Sequence, residues 1–233
     1  MPQPLSKVRP SADVVMAPNA VAENPYLALL IAFVVNSSAY LEIKLGECLA
    51  ELIRTKPKLG VTIFSSLTST TAQLSVLKSV VIHVLTGKDR DLLLAIIHLA
   101  GKAISQRNDV VHGLWGYSLE IDDALLLVPS RVHLDLHAKI INSMRGIRYF
   151  KRLPMFDRSG IFVYKKSDFL EISTFLVEVN SFFVLFWRMR HSKSPRRAQL
   201  RRELLQEPRV QKALAQIQKD QKNNSSSPRR KMK

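Results

Sequence analysis

The chain has 233 residues, 46% of them hydrophobic, which is enough for a sizeable core and too apolar for a disordered chain. A single cysteine, Cys48, excludes an intramolecular disulfide and fits a reducing compartment. The net charge of +16 is unevenly placed: from Arg188 onward 15 Lys and Arg face 3 acids, so that stretch carries +12 and residues 1–187 only +4. No phosphate-binding Gly-rich loop, Gly-x-Ser-x-Gly, His-Glu-x-x-His or internal repeat is present, so kinase, ATPase and serine-hydrolase chemistry has no support.

In chain order, residues 1–23 form a Pro-containing leader expected to be mobile, with no apolar core of a signal peptide. Asn24-Pro25 opens a long helix, with proline tolerated at its first position and Leu27, Leu30, Ile31, Val34, Leu41, Leu45, Cys48 and Leu52 as its buried stripe. Its longest apolar run, Tyr26 to Val35, falls short of a membrane span, so no integral membrane segment is expected and the chain is placed in the cytoplasm. Lys56-Pro57 breaks this helix, and one apolar helix is expected from about Val61 to Leu85, with His83 as a core or edge residue. A third helix starts at Asp89, a candidate N-cap, and ends at His112 before Gly113.

That third helix carries the densest polar chemistry in the chain. Leu93, Ile96, Ile97, Ala100, Ile104, Arg107 and Val111 recur at three- and four-residue steps, which sets an arginine into an apolar stripe. A guanidinium there must be paired or face a partner. Arg107 and His112 lie roughly 140° apart around the helix, whereas Asn108 is the helical neighbour of His112. The two groups converge if the arginine reaches around, if the helix end deforms, or if two copies pack across a dimer axis.

Arg107-Asn108-x-x-x-His112-Gly113 near the end of a long helix resembles the R-x4-6-H motif of HEPN domains. The resemblance implies a mainly α fold, an antiparallel helical bundle working as a homodimer. It also implies a metal-independent endoribonuclease of toxin or defence type that needs no cofactor and is held by an antitoxin or other protein partner. On that reading His112 helps activate the ribose 2′-hydroxyl, Arg107 stabilises the phosphorane, and Asn108 orients His112 or the phosphate. A second reading, a non-catalytic helical module that binds RNA or a protein, stays open beside it, as does a buried arginine paired with an acid.

After the motif, Tyr117–Glu120 and Ala124–Val128 flank a turn-like Ile121-Asp122-Asp123 and predict a small β-hairpin, the start of a β insertion over about 117–164. Trp115 is expected to plug the hairpin against the bundle, with a stacking platform for a base as the alternative. His133 and His137 are spaced for a shared metal, but no third ligand accompanies them, so no metal site is assigned. Arg145, Arg148, Lys151 and Arg152 around Tyr149 and Phe150 are candidate phosphate contacts. Ile161–Tyr164 is a candidate third strand, and Ser167 is the expected cap of a final helix whose apolar face, from Leu170 to Trp187, is wide enough for a core seam, a dimer surface, or both.

The bundle domain is therefore expected over residues 24–192, and residues 193–233 as a disordered basic tail with too few apolar residues to build core. Arg196, Arg197, Arg201 and Arg202 make that tail a candidate RNA contact, with anionic membrane second and simple solubility as the bland alternative.

Overall fold

A computed structural model describes residues 1–135, 138 and 158–226. The protein is mainly α, with a small antiparallel sheet, and it divides into two compact units. The first comprises Met1–Asn36 and Ser105–Thr174; the second comprises Ser37–Ile104 and Phe175–Lys233.

In the first unit the sheet has five strands: β1 (Gln3–Pro4), β2 (Val15–Met16), β3 (Leu114–Tyr117), β4 (Ala124–Val128) and β5 (Phe162–Lys165), in the order β1-β5-β4-β3-β2. β4 reads Ala-Leu-Leu-Leu-Val and is buried at every position, the pattern of a central strand covered on both faces. On one face Ala124, Leu126 and Val128 join Leu5, Ala12, Ile161 and Val163 in a core; on the other, Leu125 and Leu127 sit opposite Tyr164 and Trp115.

Residues 1–23 are thus not a free leader. The short strands β1 and β2 occupy the two sheet edges, a four-residue helix α1 (Leu5–Val8) follows β1, and Leu5 and Ala12 are fully buried. Two-residue strands carry no periodicity of their own; they form because β5 and β3 offer unpaired edges, and proline is tolerated there because an edge strand has a free side. The expected hairpin also moves. Its first strand is 114–117 rather than 117–120, and residues 118–123 form the connection, with Asp123 in the left-handed region at φ 52°.

Among the described residues seven further helices account for most of the rest, and for the second unit's regular structure: α2 (Pro25–Ile53), α3 (Pro57–Ser66), α4 (Thr70–Val84), α5 (Gly87–His112), α6 (Lys166–His191) and a C-terminal pair discussed below. The expected helix over 61–85 is two helices. Serine hydroxyls explain the break: Ser65 and Ser66 donate back to the carbonyls of Thr62 and Ile63, and Ser69 caps α4 by accepting from the Ala72 amide at 3.1 Å. Gln73 Nε2 then donates to the carbonyl of Leu67 and to that of Phe64, which also accepts from the Leu67 amide. α6 begins at Lys166, so Ser167 lies inside it and is not its cap; Asp168 in the first turn reaches back and accepts from the Lys165 amide at 2.9 Å.

α2 and α3 approach closely enough that a Cβ on Gly60 would stand 2.4 Å from the Cβ of Ala50 and 2.7 Å from its Cα. Gly60→Ala therefore destabilises by about 2 kcal/mol, because overpacking outweighs alanine's better helix propensity; denaturant unfolding checks this. Wild-type stability in that variant would mean that α3 moves freely away from α2.

Residues 193–233 do not form a disordered tail over the part described. Helices α7 (Arg196–Gln206) and α8 (Pro208–Ser226) follow α6, and Leu200, Leu204, Val210 and Ala213 are buried. The basic composition hid a sparse apolar stripe, 200-204 and 210-213, that suffices when neighbouring helices supply the other side. α7 is also held electrostatically. Asp89, in the first turn of α5 and 8% exposed, accepts from Arg201 at 2.6 Å and Arg197 at 2.5 Å, with Arg190 at 3.7 Å. Asp89 is thus an ion-pair centre and not an N-cap, since the helix begins at Gly87.

Burial pushes the Asp89 carboxyl up, but the hydrogen bonds and charges of Arg201 and Arg197 outweigh it and hold the group below the usual aspartate range. A depressed carboxylate contributes stability above its unfolded pKa and loses it as pH falls through the folded one. Asp89→Asn should therefore lower stability at neutral pH by about 2 kcal/mol, less than a fully buried pair would lose because the arginines stay partly solvated. The gap between variant and wild type should close as the pH drops below about 4, the ordinary aspartate range. Thermal denaturation at pH 7 and pH 3 measures both, and equal wild-type and variant stability at pH 7 would refute the assignment.

α2 and α6 are each long and apolar enough to cross a membrane, with mean hydropathy 1.6 in their best windows. In this fold both supply buried side chains, among them Val34, Leu41 and Leu45 from α2 and Phe169, Phe183 and Phe186 from α6.

Candidate functional site

The last turns of α5 lie in the first unit, and the sheet is built directly on their end. Val110 is fully buried there while Val111 is 38% exposed, so the buried stripe runs through Ala100, Ala103 and Val110 and not through Val111. The 3.6-residue turn drifts off a fixed register over 26 residues, which is why the sequence stripe selected the wrong valine. Gly113 makes the turn from helix to β3: a Cβ there would stand 2.2 Å from Leu127 Cδ1, so only glycine lets the chain pass against β4.

Arg107 is half-buried. Its Nη1 donates to Asn108 Oδ1 at 3.0 Å, and its buried Nε has no hydrogen-bond partner among the described residues. Among the described residues no carboxylate pairs with it. Asn108 is engaged with the guanidinium and therefore holds Arg107, not the imidazole. His112, the last residue of α5, is exposed.

Behind this helix end lies a packed aromatic group. Trp115 meets Tyr164 edge-on at 5.4 Å and Phe169 at 5.8 Å, and Tyr164 lies 5.4 Å from Phe169. Trp115 is half-buried and packs as the expected plug. Burial pushes the Tyr164 hydroxyl up, and the charges of Asp109 and Asp168 add to the shift. Asp109, between Asn108 and Val110, has its own carboxyl raised by burial. Sequence pattern passed over Asp109, because one acid on an amphipathic helix carries no signal until its environment is known.

The remaining sequence-predicted contacts disperse. Arg145, Arg148, Lys151 and Arg152 lie outside the described residues, as do His137 and the terminal basic run 229–233. Arg197 and Arg201 are committed to Asp89 in the second unit; Arg196 donates to Gln199 at 2.9 Å, and Arg202 is exposed. A cavity of about 720 Å³ in the first unit is lined by Tyr26, Asp123, Lys165, Lys166 and neighbours, and Arg107, Asn108 and His112 are outside it. Of the three, His112 is exposed, while Arg107 and Asn108 are half-buried. Among the described residues no cluster of three His, Cys, Asp or Glu is placed to hold a metal. No protein-family model matches the chain, and no curated protein or solved structure shows significant similarity to it.

Proposed function

We propose that this protein is a HEPN-like RNA-binding protein that cleaves RNA without a metal ion, using Arg107 and His112. One observation carries the reading: an arginine set into the base of α5 has no acid to neutralise it among the described residues and stands on the same helix end as an exposed imidazole. A half-buried guanidinium without a counter-ion is costly, and it is retained where an anion arrives from outside. A phosphodiester supplies that anion.

In the proposed reaction His112 accepts the ribose 2′-hydroxyl proton, the 2′-oxygen bonds to phosphorus, and the bond to the 5′-oxygen breaks. The leaving oxygen takes a proton from an imidazolium or from water. The products are a 2′,3′-cyclic phosphate and a 5′-hydroxyl. Arg107 stabilises the phosphorane's extra negative charge, and Asn108 Oδ1 fixes the guanidinium in place.

The homodimer belongs to the same proposal. Tyr26, Leu29, Phe33, Tyr40 and Ile43 on α2 are 45–66% exposed at steps that follow a three-four repeat, and Leu170, Val177 and Val184 on α6 are exposed at intervals of seven. Such seams favour pairing of like helices between two copies. Purified protein should cleave single-stranded RNA equally with and without EDTA, leave 2′,3′-cyclic phosphate ends, and sediment as a dimer that Phe33→Glu dissociates. Cleavage abolished by EDTA would remove the mechanism. No cleavage, with RNA binding retained, would favour the non-catalytic module.

A further inference from the structure

In the second unit, the contact that anchors α7 is unbalanced in charge. One carboxylate, Asp89, is shared by Arg190, Arg197 and Arg201. Among the described residues the buried Nε atoms of Arg197 and Arg201 have no hydrogen-bond partner, and each guanidinium meets Asp89 through its Nη2. The nearest acid in sequence, Asp91, is taken by Arg90 at 3.1 Å. Three guanidinia around one carboxylate leave a surplus of positive charge that a further anion would neutralise.

The structure leaves room for that anion. Beside Arg201 opens a cavity of about 220 Å³ whose polar wall is Lys88, Asp91, Arg201 and Gln218, and whose apolar wall includes Leu205 and Leu214. Lys88 is exposed and has no ion-pair partner among the described residues. It also lies in the first turn of the 26-residue helix α5, where the backbone dipole favours negative charge. The cavity is smaller than the roughly 300–1,000 Å³ typical of pockets for whole small molecules, so it admits a phosphate group and not a nucleoside.

We propose that Lys88, Arg201 and Gln218 form a phosphate-binding site, with Arg197 and Arg190 behind Asp89 supplying the surplus charge. Arg201 is the pivot: one face of its guanidinium is held by Asp89, which fixes the fork, and the other is presented to the phosphate. Lys88, which lines the same cavity, adds a point charge, and Gln218 an amide donor. The phosphate is either a free small phosphate or the terminal monoester of an oligonucleotide. The site does not rest on the ribonuclease reading, since none of its residues belongs to the motif.

Calorimetric titration of the full chain with inorganic phosphate, at ionic strength fixed with sodium chloride, tests it. Saturable one-to-one binding is expected, weakened tenfold or more by Lys88→Ala and by Arg201→Lys, which keeps the charge but loses the fork, and unchanged by Lys212→Ala on the exposed side of α8. Lys88→Ala replaces an exposed side chain, so it remains decisive if Arg201→Lys perturbs folding. A second arm compares 5′-phosphorylated and 5′-hydroxyl oligonucleotides of one sequence. Tighter binding of the phosphorylated form, abolished by Lys88→Ala, assigns the site to nucleic-acid ends; no difference, with inorganic phosphate still bound, assigns it to a free phosphate. Absence of saturable phosphate binding by the wild type, or wild-type affinity in folded Lys88→Ala, overturns the proposal.

Discussion

His112→Ala is expected to leave the fold intact and to lower RNA cleavage by about 10²- to 10⁴-fold, the range contributed by a positioned general base. The side chain is exposed at the end of α5, so its loss opens no cavity. Arg107→Ala should cost about 10²- to 10³-fold through loss of phosphorane stabilisation, and Arg107→Lys should recover only part of it because an ammonium cannot both bond Asn108 and fork onto a phosphate. The roughly 140° between the two positions on one helix makes a site built from two copies the economical arrangement. Mixing inactive Arg107→Ala with inactive His112→Ala then regenerates one complete site per heterodimer. Undiminished cleavage by His112→Ala would eliminate the mechanism, and verified heterodimers without regained activity would place both residues in one chain's site.

What the sequence carried clearly was whatever repeats over many residues. The long helices α2 and α5 were legible to within a residue or two, because their apolar stripes run for more than twenty residues and are bounded by Asn24-Pro25 and Gly113. β4 was legible as an uninterrupted apolar run, and β5 from Ile161-Phe162-Val163-Tyr164. Elements that exist only through their neighbours were not. β1 and β2 are edge additions of two residues, and α7 and α8 hide four buried apolar side chains in a strongly basic composition. The break between α3 and α4 depends on serine hydroxyls returning to the backbone, a choice serine also makes inside intact helices.

For the site, residue types were legible and partners were not. The motif marked Arg107 and His112 as unusual, but that Arg107 has no acid partner among the described residues, that Asn108 serves the guanidinium, and that Asp109 is close enough to act on Tyr164 are facts of three-dimensional placement. The four arginines of α7 looked equivalent in sequence. Folding divides them: Arg197 and Arg201 turn onto a buried aspartate, while Arg196 and Arg202 stay at the surface.

That division reverses the expected result of deleting residues 193–233. Composition alone predicts a truncation that weakens RNA binding and spares stability, yet Leu200, Leu204 and Val210 are each no more than 1% exposed. Removing them forfeits about 1.5–3 kcal/mol apiece and leaves Asp89 without Arg197 and Arg201, a total of about 5 kcal/mol or more against a typical domain stability of about 5–15. The truncated chain should lose cooperative unfolding or melt far below the wild type, and RNA binding measured on it would report unfolding and not lost contacts. The contribution of the arm to RNA is tested instead by Arg196→Ala with Arg202→Ala, both at exposed positions. If both contact phosphates, the slope of log affinity against log salt should flatten by up to about 2, with the melting temperature unchanged. An unchanged slope would exclude α7's exposed arginines from the RNA interface, and full stability after truncation would show that the second unit does not need α7 and α8 to close its core.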